Sequence, residues 1–175
     1  MDLNLNIFDY NKTGYHGHTQ PVINEIIRSG KFNPSDGDWE YLGTGVYFFE
    51  DDILQAVRWC KYARKYDQWS VIRAKIKTDK LLDLLDTANF NSFKEFATLL
   101  RRKYKRIDGS KKITSKLIFN FLYELEEYDA VRHIFVVGDN PKPVQPTEVT
   151  RMQVQLCVRN QDCITDIEEV ETDGY

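Results

Sequence analysis

Residues 71–77 alternate without a break. Ile72, Ala74 and Ile76 fall on one side of an extended chain, and Arg73, Lys75 and Lys77 on the other. Successive side chains of a strand point to opposite faces, so this segment reads as a half-buried β-strand. The elements around it are of mixed kind. A short strand is expected over 13–16. Thr19 then caps a helix that carries Pro21 in its first turn, Val22, Ile23, Ile26 and Ile27 on one face, and Gly30 at its end. Residues 31–43 hold Asn33-Pro34, Asp36-Gly37 and Gly43 and read as a surface loop. A strand over 45–49 follows, then a helix over 53–66 with Asp51 and Asp52 as cap residues. Beyond 71–77 come a short apolar run over 81–85, a helix to about 104 opened by a Ser92/Glu95 capping box, a helix over 115–128, and strands over 132–137 and 152–158. Strands with helices interspersed, out of strict β-α-β order, point to an α+β fold.

The chain has 175 residues, which suits a single domain over 1–175. Apolar residues at 42% and charged residues at 29% describe a globular protein, and the sequence has no repeat or low-complexity tract. The formal net charge of -3 excludes a globally basic nucleic-acid binder but leaves local patches open. The first residues have neither a basic start nor a continuous apolar core, and no apolar run approaches bilayer length, so a cytoplasmic protein with no membrane partner is expected. Three cysteines, Cys60, Cys157 and Cys163, form no disulfide framework and no zinc spacing, so no metal is expected.

Three segments carry side chains suited to chemistry. Tyr15-His16-Gly17-His18 sets an imidazole beside an unobstructed backbone, where a ligand can approach main-chain groups; alone, it also reads as a core histidine at a strand end. Leu42-Gly43-Thr44-Gly45-Val46-Tyr47-Phe48 places two glycines before a strand. A dinucleotide fingerprint would open a helix instead, and the plain alternative is a turn before a core strand. Gln153 and Gln155 share one face of a strand, as a pair of amides for a polar ligand or as a solvated face.

Taken in order and spacing, the three segments resemble the ADP-ribosyltransferase superfamily, in its poly(ADP-ribose)-polymerase-like and diphtheria-toxin-like branch. His16-Gly17 is similar to the early His-Gly motif, Gly43-Thr44-Gly45-Val46-Tyr47-Phe48 to the Gly-Ile-Tyr-Phe-like strand, and Gln155-Leu156-Cys157-Val158 to the late strand headed by a glutamate. The resemblance covers about 14–164. It implies a split antiparallel β-sandwich with peripheral helices and NAD as substrate. His16 would bond the nicotinamide-side ribose, the Gly17 backbone would hold the carboxamide, Tyr47 would pack on the nicotinamide, and Trp59 would add a second aromatic wall. Trp39, with Asp36 and Asp38, would reach the donor from the loop over 31–43.

Two positions depart from the family pattern. His18 stands where a Ser or Thr is usual, and Gln155 stands at the catalytic glutamate. Gln155 can bond a ribose hydroxyl but cannot carry negative charge, which argues against chain growth and for single transfer. Gln153 keeps the spacing of the residue that selects the acceptor in related toxins, and Glu148 ranks second as a source of the missing carboxylate. Residues 101–116 hold eight basic side chains against Asp108 alone, so Arg101, Arg102 and Lys105 are candidate contacts to an RNA or DNA acceptor, or simply a solvated helix end. Residues 162–175 carry six acids and no base and read as an acidic tail. The expected activity is mono-ADP-ribosylation of a macromolecule, nucleic acid before protein. By analogy it is the toxin of a toxin–antitoxin or phage-defence pair, with an antitoxin or chaperone as partner. An NAD glycohydrolase and a non-catalytic NAD or ADP-ribose binding module are the alternatives.

Overall fold

The computed structural model describes residues 5–37, 40–107, 113–136 and 151–175. Asp38, Trp39 and Glu148 lie outside these residues. Strand β1 (Ile7–Thr19) leads into helix α1 (Gln20–Ser29), then β2 (Val46–Glu50), α2 (Ile53–Arg58) with a π-helical continuation (Trp59–Arg64), and β3 (Trp69–Asp83). Helices α3 (Thr87–Ile107) and α4 (Ser115–Leu125) precede β4 (Ala130–Val136), β5 (Met152–Val158) and β6 (Ile164–Val170). The fold is α+β.

The strands form one mixed sheet in the order β1-β2-β5-β4-β3-β6, and β1 also pairs with β3. That second pairing closes β1, β2, β5, β4 and β3 into a five-stranded barrel, with β6 added outside on β3. A split sandwich of antiparallel sheets was expected; the described strands close into a barrel instead, and β3–β4 is parallel. The reason lies in the length of β1 and β3. They pair from Ile7–Leu82 to Thr19–Trp69, so β3 reaches past its partner β6 and takes β4 at Leu81–Asp83. The ring has two short seams. The β1–β2 ladder holds only Gly14–Glu50 and Tyr15–Phe49, and β3–β4 runs only from Leu81–Ala130 to Asp83–Arg132.

Alternation along the strands assigns the core. Phe48, Ile72, Ile76, Leu81 and Leu156 pack with Ile23 and Ile26 of α1. Leu82, Val131 and Cys157, one residue out of phase, turn to Phe96, Leu100, Ile118, Phe119 and Leu122 of α3 and α4. Each fully buried large side chain of this kind contributes about 1.5–3 kcal/mol of transfer free energy. Thr19 and Gly30 bound α1 where the sequence predicts, although the Thr19 side chain makes no capping hydrogen bond. Residues 162–175 are not a free tail, because β6 is built from them. Glu168 pairs with Arg73, and Glu169 accepts from Ser70 Oγ at 2.6 Å and from Gln20 Nε2 at 3.0 Å.

A polar clamp holds the end of the barrel where the seams are short. Arg132 of β4 donates from Nε and Nη2 to the two Glu50 oxygens at 2.6 Å each, and from Nη1 to Asp83 at 2.9 Å. Tyr10 Oη donates to Glu50 at 2.6 Å. One guanidinium thereby ties β2, β3 and β4 together, with β1 joined through the phenol.

Candidate functional site

The β1–β2 seam opens into the site. In an antiparallel pair, alternate residues turn both N–H and C=O to the same neighbour. Thr13 C=O accepts from Asp51 N–H at 2.9 Å, so Thr13, Tyr15 and Gly17 face β2. The ladder stops at Tyr15–Phe49. Continued, it would have set Gly17 against Tyr47; instead the strands splay, and the main-chain N–H and C=O of Gly17 face the gap. Gly17 is needed there for a second reason. A Cβ at this position would lie 2.5 Å from Cys60 Sγ and 2.8 Å from the Ala56 carbonyl, because α2 packs directly behind it.

Across the gap the His16 ring replaces the missing ladder bond. Its Nδ1 donates to the Tyr47 carbonyl at 2.9 Å, which leaves Nε2 of the neutral ring as an acceptor. Burial pushes His16 down to about 4, against the opposing pull of the Tyr47 hydrogen bond, so it is neutral at physiological pH. His18 has the complementary tautomer. Its Nδ1 accepts from Thr19 N–H at 2.8 Å, which puts its proton on Nε2. Burial, then the nearby Arg64 charge, lowers its pKa as well. The two rings are stacked with centroids 6.1 Å apart, and His18 stacks on Tyr66 at 5.4 Å. The pair therefore offers one acceptor and one donor without net charge.

A cavity of about 480 Å³ extends from this seam, within the range of small-molecule sites, about 300–1,000 Å³. It gathers His16, Gly17, His18, Tyr47, Trp59, Gln153 and Gln155 from four separate stretches of sequence. Tyr47 is held rigidly. Its hydroxyl donates to the Gly43 carbonyl at 2.7 Å and accepts from Leu42 N–H at 3.0 Å. Burial raises its pKa, so it is not an acid at neutral pH. Gly43 adopts φ +94°, and a Cβ there would run into Arg159. Thr44 is pinned to α4, with its N–H on Asn120 Oδ1 at 2.9 Å and Asn120 Nδ2 on its hydroxyl at 3.0 Å. Lys116, which the sequence groups with the basic stretch, instead pairs with Asp36 at 2.6 Å and fixes this loop. The side-chain amides of Gln153 and Gln155 have no hydrogen-bond partner among the described residues, and both residues line the cavity.

Sequence reasoning missed three groups here. Glu40 is the one carboxylate lining the cavity among the described residues. Its Oε1 accepts from the Ser35 hydroxyl, and its buried Oε2 has no partner. Arg64 is the one cation lining it among the described residues, bonded through Nε to Tyr66 Oη at 3.1 Å. Tyr66 itself is the third. A residue pattern could not find them, since Glu40 sits in an irregular loop and Arg64 and Tyr66 depend on the π-helical turn and on Lys65 at φ +52°. Arg101, Arg102 and Lys105 do not line the cavity; they stand exposed on α3.

Among the described residues no group of three His, Cys, Asp or Glu is placed to hold a metal ion, and no helix is long and apolar enough to cross a membrane. The chain is similar to the uncharacterized protein MJ0359 of Methanocaldococcus jannaschii, at 26% identity over a 191-residue alignment covering 89% of this chain and 86% of that one. No family model and no solved structure matches.

Proposed function

We propose that this protein is an ADP-ribosyltransferase that cleaves NAD and moves ADP-ribose to a macromolecular acceptor, nucleic acid before protein. The observation that carries the reading is the splayed seam: the β1–β2 ladder stops at Tyr15–Phe49, and Gly17, with no ladder partner on β2, turns its N–H and C=O toward Tyr47. A primary carboxamide needs one acceptor and one donor in that spacing, and the nicotinamide amide supplies the complement. His16 Nε2 accepts from a ribose hydroxyl, and His18 Nε2–H donates to a neighbouring oxygen. Arg64 at the rim faces the diphosphate. The aromatic walls, Tyr47 and Trp59, sandwich the leaving group.

In the reaction the glycosidic C–N bond breaks with its electron pair going to nicotinamide. The anomeric carbon gains positive character, and the acceptor's nucleophile bonds to it and loses a proton to solvent. A group fixed beside the developing cation lowers the barrier. Gln155 supplies only an amide dipole. Glu40 supplies the full negative charge that Gln155 cannot.

The split-sandwich fold belongs to this proposal. Opening the barrel at its two short seams leaves β6-β3-β1 and β2-β5-β4 as separate three-stranded sheets. The toxin or phage-defence setting, with its antitoxin partner, rests on the sequence resemblance alone. A second reading is favoured by Gln155: a module that binds NAD or ADP-ribose without turnover. Incubation with NAD labelled in the adenylate part, with RNA, DNA and protein offered as acceptors, separates the possibilities. Label on a macromolecule supports transfer, and free ADP-ribose supports hydrolysis. Binding by calorimetry without nicotinamide release supports the module. No binding and no release would overturn the NAD site.

A further inference from the structure

The segment Arg58-Trp59-Cys60-Lys61-Tyr62-Ala63-Arg64-Lys65-Tyr66 carries four cations, three aromatic rings and no acid. Cys60 is buried and faces Gly17, which turns Arg58, Lys61, Tyr62, Arg64 and Lys65 outward, all exposed. Cations and rings are interleaved in space as in sequence. Arg58 lies 5.6 Å from the Tyr62 ring centroid, and Arg64 lies 5.7 Å and 5.8 Å from those of Trp59 and Tyr66. One acid, the exposed Asp67, follows the segment directly; before it, Asp51 pairs with Lys12 at 3.5 Å and Asp52 accepts from Gln55 N–H at 3.2 Å.

This face joins two cavities. At one end Trp59, Arg64 and Tyr66 form part of the wall of the large cavity. At the other, a second cavity of about 210 Å³ is lined by Arg58, Lys61, Tyr62 and Arg151 together with Leu54, Val57 and Tyr175. Lys61 there also donates to a main-chain oxygen of Tyr175 at 2.8 Å. Tyr62 is 66% exposed, and no packing in the described residues accounts for an aromatic ring at that position.

We propose that the α2–π face binds single-stranded nucleic acid and leads it to the rim of the large cavity. Alternating cations and rings suit a strand whose phosphates meet Arg58, Lys61, Arg64 and Arg151 while unstacked bases lie on Tyr62 and its neighbours. A duplex keeps its bases stacked on each other and gains only the charge contacts. In the basic part of α3 the one ring, Tyr104, packs against the core, and this stretch borders neither cavity. The acceptor role of the bound strand rests on the transferase reading; the binding itself does not.

The test is fluorescence anisotropy with the full chain and short labelled oligonucleotides, as single-stranded RNA, single-stranded DNA and duplex DNA, without NAD and at several salt concentrations. Single strands of either sugar are expected to bind, more tightly than duplex. Tyr62→Ala should weaken binding about tenfold. R58E with K61E should weaken it further and flatten the salt dependence by about 0.7 per lost phosphate contact. R101E with R102E should leave it unchanged. These five positions are exposed, and circular dichroism of each variant checks the fold. Absence of binding at low salt would overturn the inference, as would a loss confined to the α3 variant or NAD-dependent labelling of protein alone with no oligonucleotide bound. Because the assay contains no NAD, a protein that binds strands but never releases nicotinamide keeps this inference and loses only the transferase reading.

Discussion

His16 Nδ1 donates to the Tyr47 carbonyl at 2.9 Å, one step beyond the last residue pair of the β1–β2 ladder. A side chain thus takes the bond that a strand would have made, and the two strands are held apart at a fixed width. The gap keeps Gly17's main-chain groups free while the far wall stays in register. Truncation of His16 removes both the tether and the hydroxyl acceptor. H16A is expected to weaken NAD binding by roughly tenfold, the value of one or two hydrogen bonds, and to lower turnover with it. Calorimetry and nicotinamide release measure the two effects separately; unchanged values in both would remove His16 from the site.

Gly17→Ala tests the other half of the seam. The added methyl meets both Cys60 Sγ and a backbone oxygen, that of Ala56. Overpacking of this kind costs about 1–3 kcal/mol. The double variant with Cys60→Ala relieves the sulfur contact but not the carbonyl, so its denaturation midpoint should recover only in part. NAD cleavage should stay low in both variants, because β1 must shift away from α2 and into the gap.

The pH dependence of stability follows from His16. Its ordinary value is 6.5 and burial sets it at about 4 in the folded protein. The unfolded chain therefore takes up a proton first as pH falls. The stabilisation is complete above 6.5, declines between 6.5 and 4, and is lost at the lower end, by on the order of 3 kcal/mol in total. H16Q should flatten the slope in that window. Urea midpoints at a series of pH values read it directly, and an unchanged slope would assign it to His18 or His133, whose values burial also lowers.

The Arg132 clamp gives a second, more acidic window. Burial pushes the Glu50 carboxyl up, but hydrogen bonds from Arg132 and Tyr10 outweigh it and hold the group below its ordinary 4.5. Its contribution is present above 4.5 and is lost as pH falls through the lower folded value. Arg132→Met leaves Glu50 and Asp83 without their cation and should cost about 3–5 kcal/mol at neutral pH. The loss should shrink at acid pH, where the carboxyls are protonated. A constant loss across pH would mean that packing of the side chain, not its charge, sets the cost.

Local signals in the sequence located the elements that are bounded by local chemistry. Thr19, Pro21 and Gly30 delimit α1, and the alternation over 152–158 delimits β5. Elements that depend on distant partners were not legible. The polar run Lys77-Thr78-Asp79-Lys80 seemed to end a strand, yet β3 continues to Asp83, held by β1 and by Thr78 Oγ1 donating to Asp129 at 2.6 Å. Ser92 and Glu95 form no capping box, because α3 starts at Thr87 and Asp86 accepts from Asn89 N–H at 2.9 Å. The acids of β6 looked solvated because Arg73 and Ser70, their partners, lie far away in sequence. The site divides in the same way. His16, Gly17, Tyr47 and Gln155, singled out by the resemblance, border one cavity, whereas Glu40 reaches it only because the loop before β2 is pinned to α4.

Glu40 and Gln155 make the sharpest pair of opposed predictions. Glu40 lines the cavity, and its buried Oε2 has no partner among the described residues; a positive charge forming nearby offsets that cost, and on the proposed reaction the oxocarbenium-like carbon is such a charge. E40Q keeps the size and the Ser35 contact and removes only the charge. It should lower the rate of nicotinamide release by about 100-fold, the scale of one electrostatic group at a reacting centre, while the NAD dissociation constant changes little. Gln155→Glu places a carboxylate in the middle of β5 and should raise the rate, and should partly rescue E40Q in the double variant. If E40Q weakens binding and rate equally, Glu40 holds the loop rather than the cation. If Gln155→Glu has no effect in either background, position 155 of β5 does not face the reacting carbon.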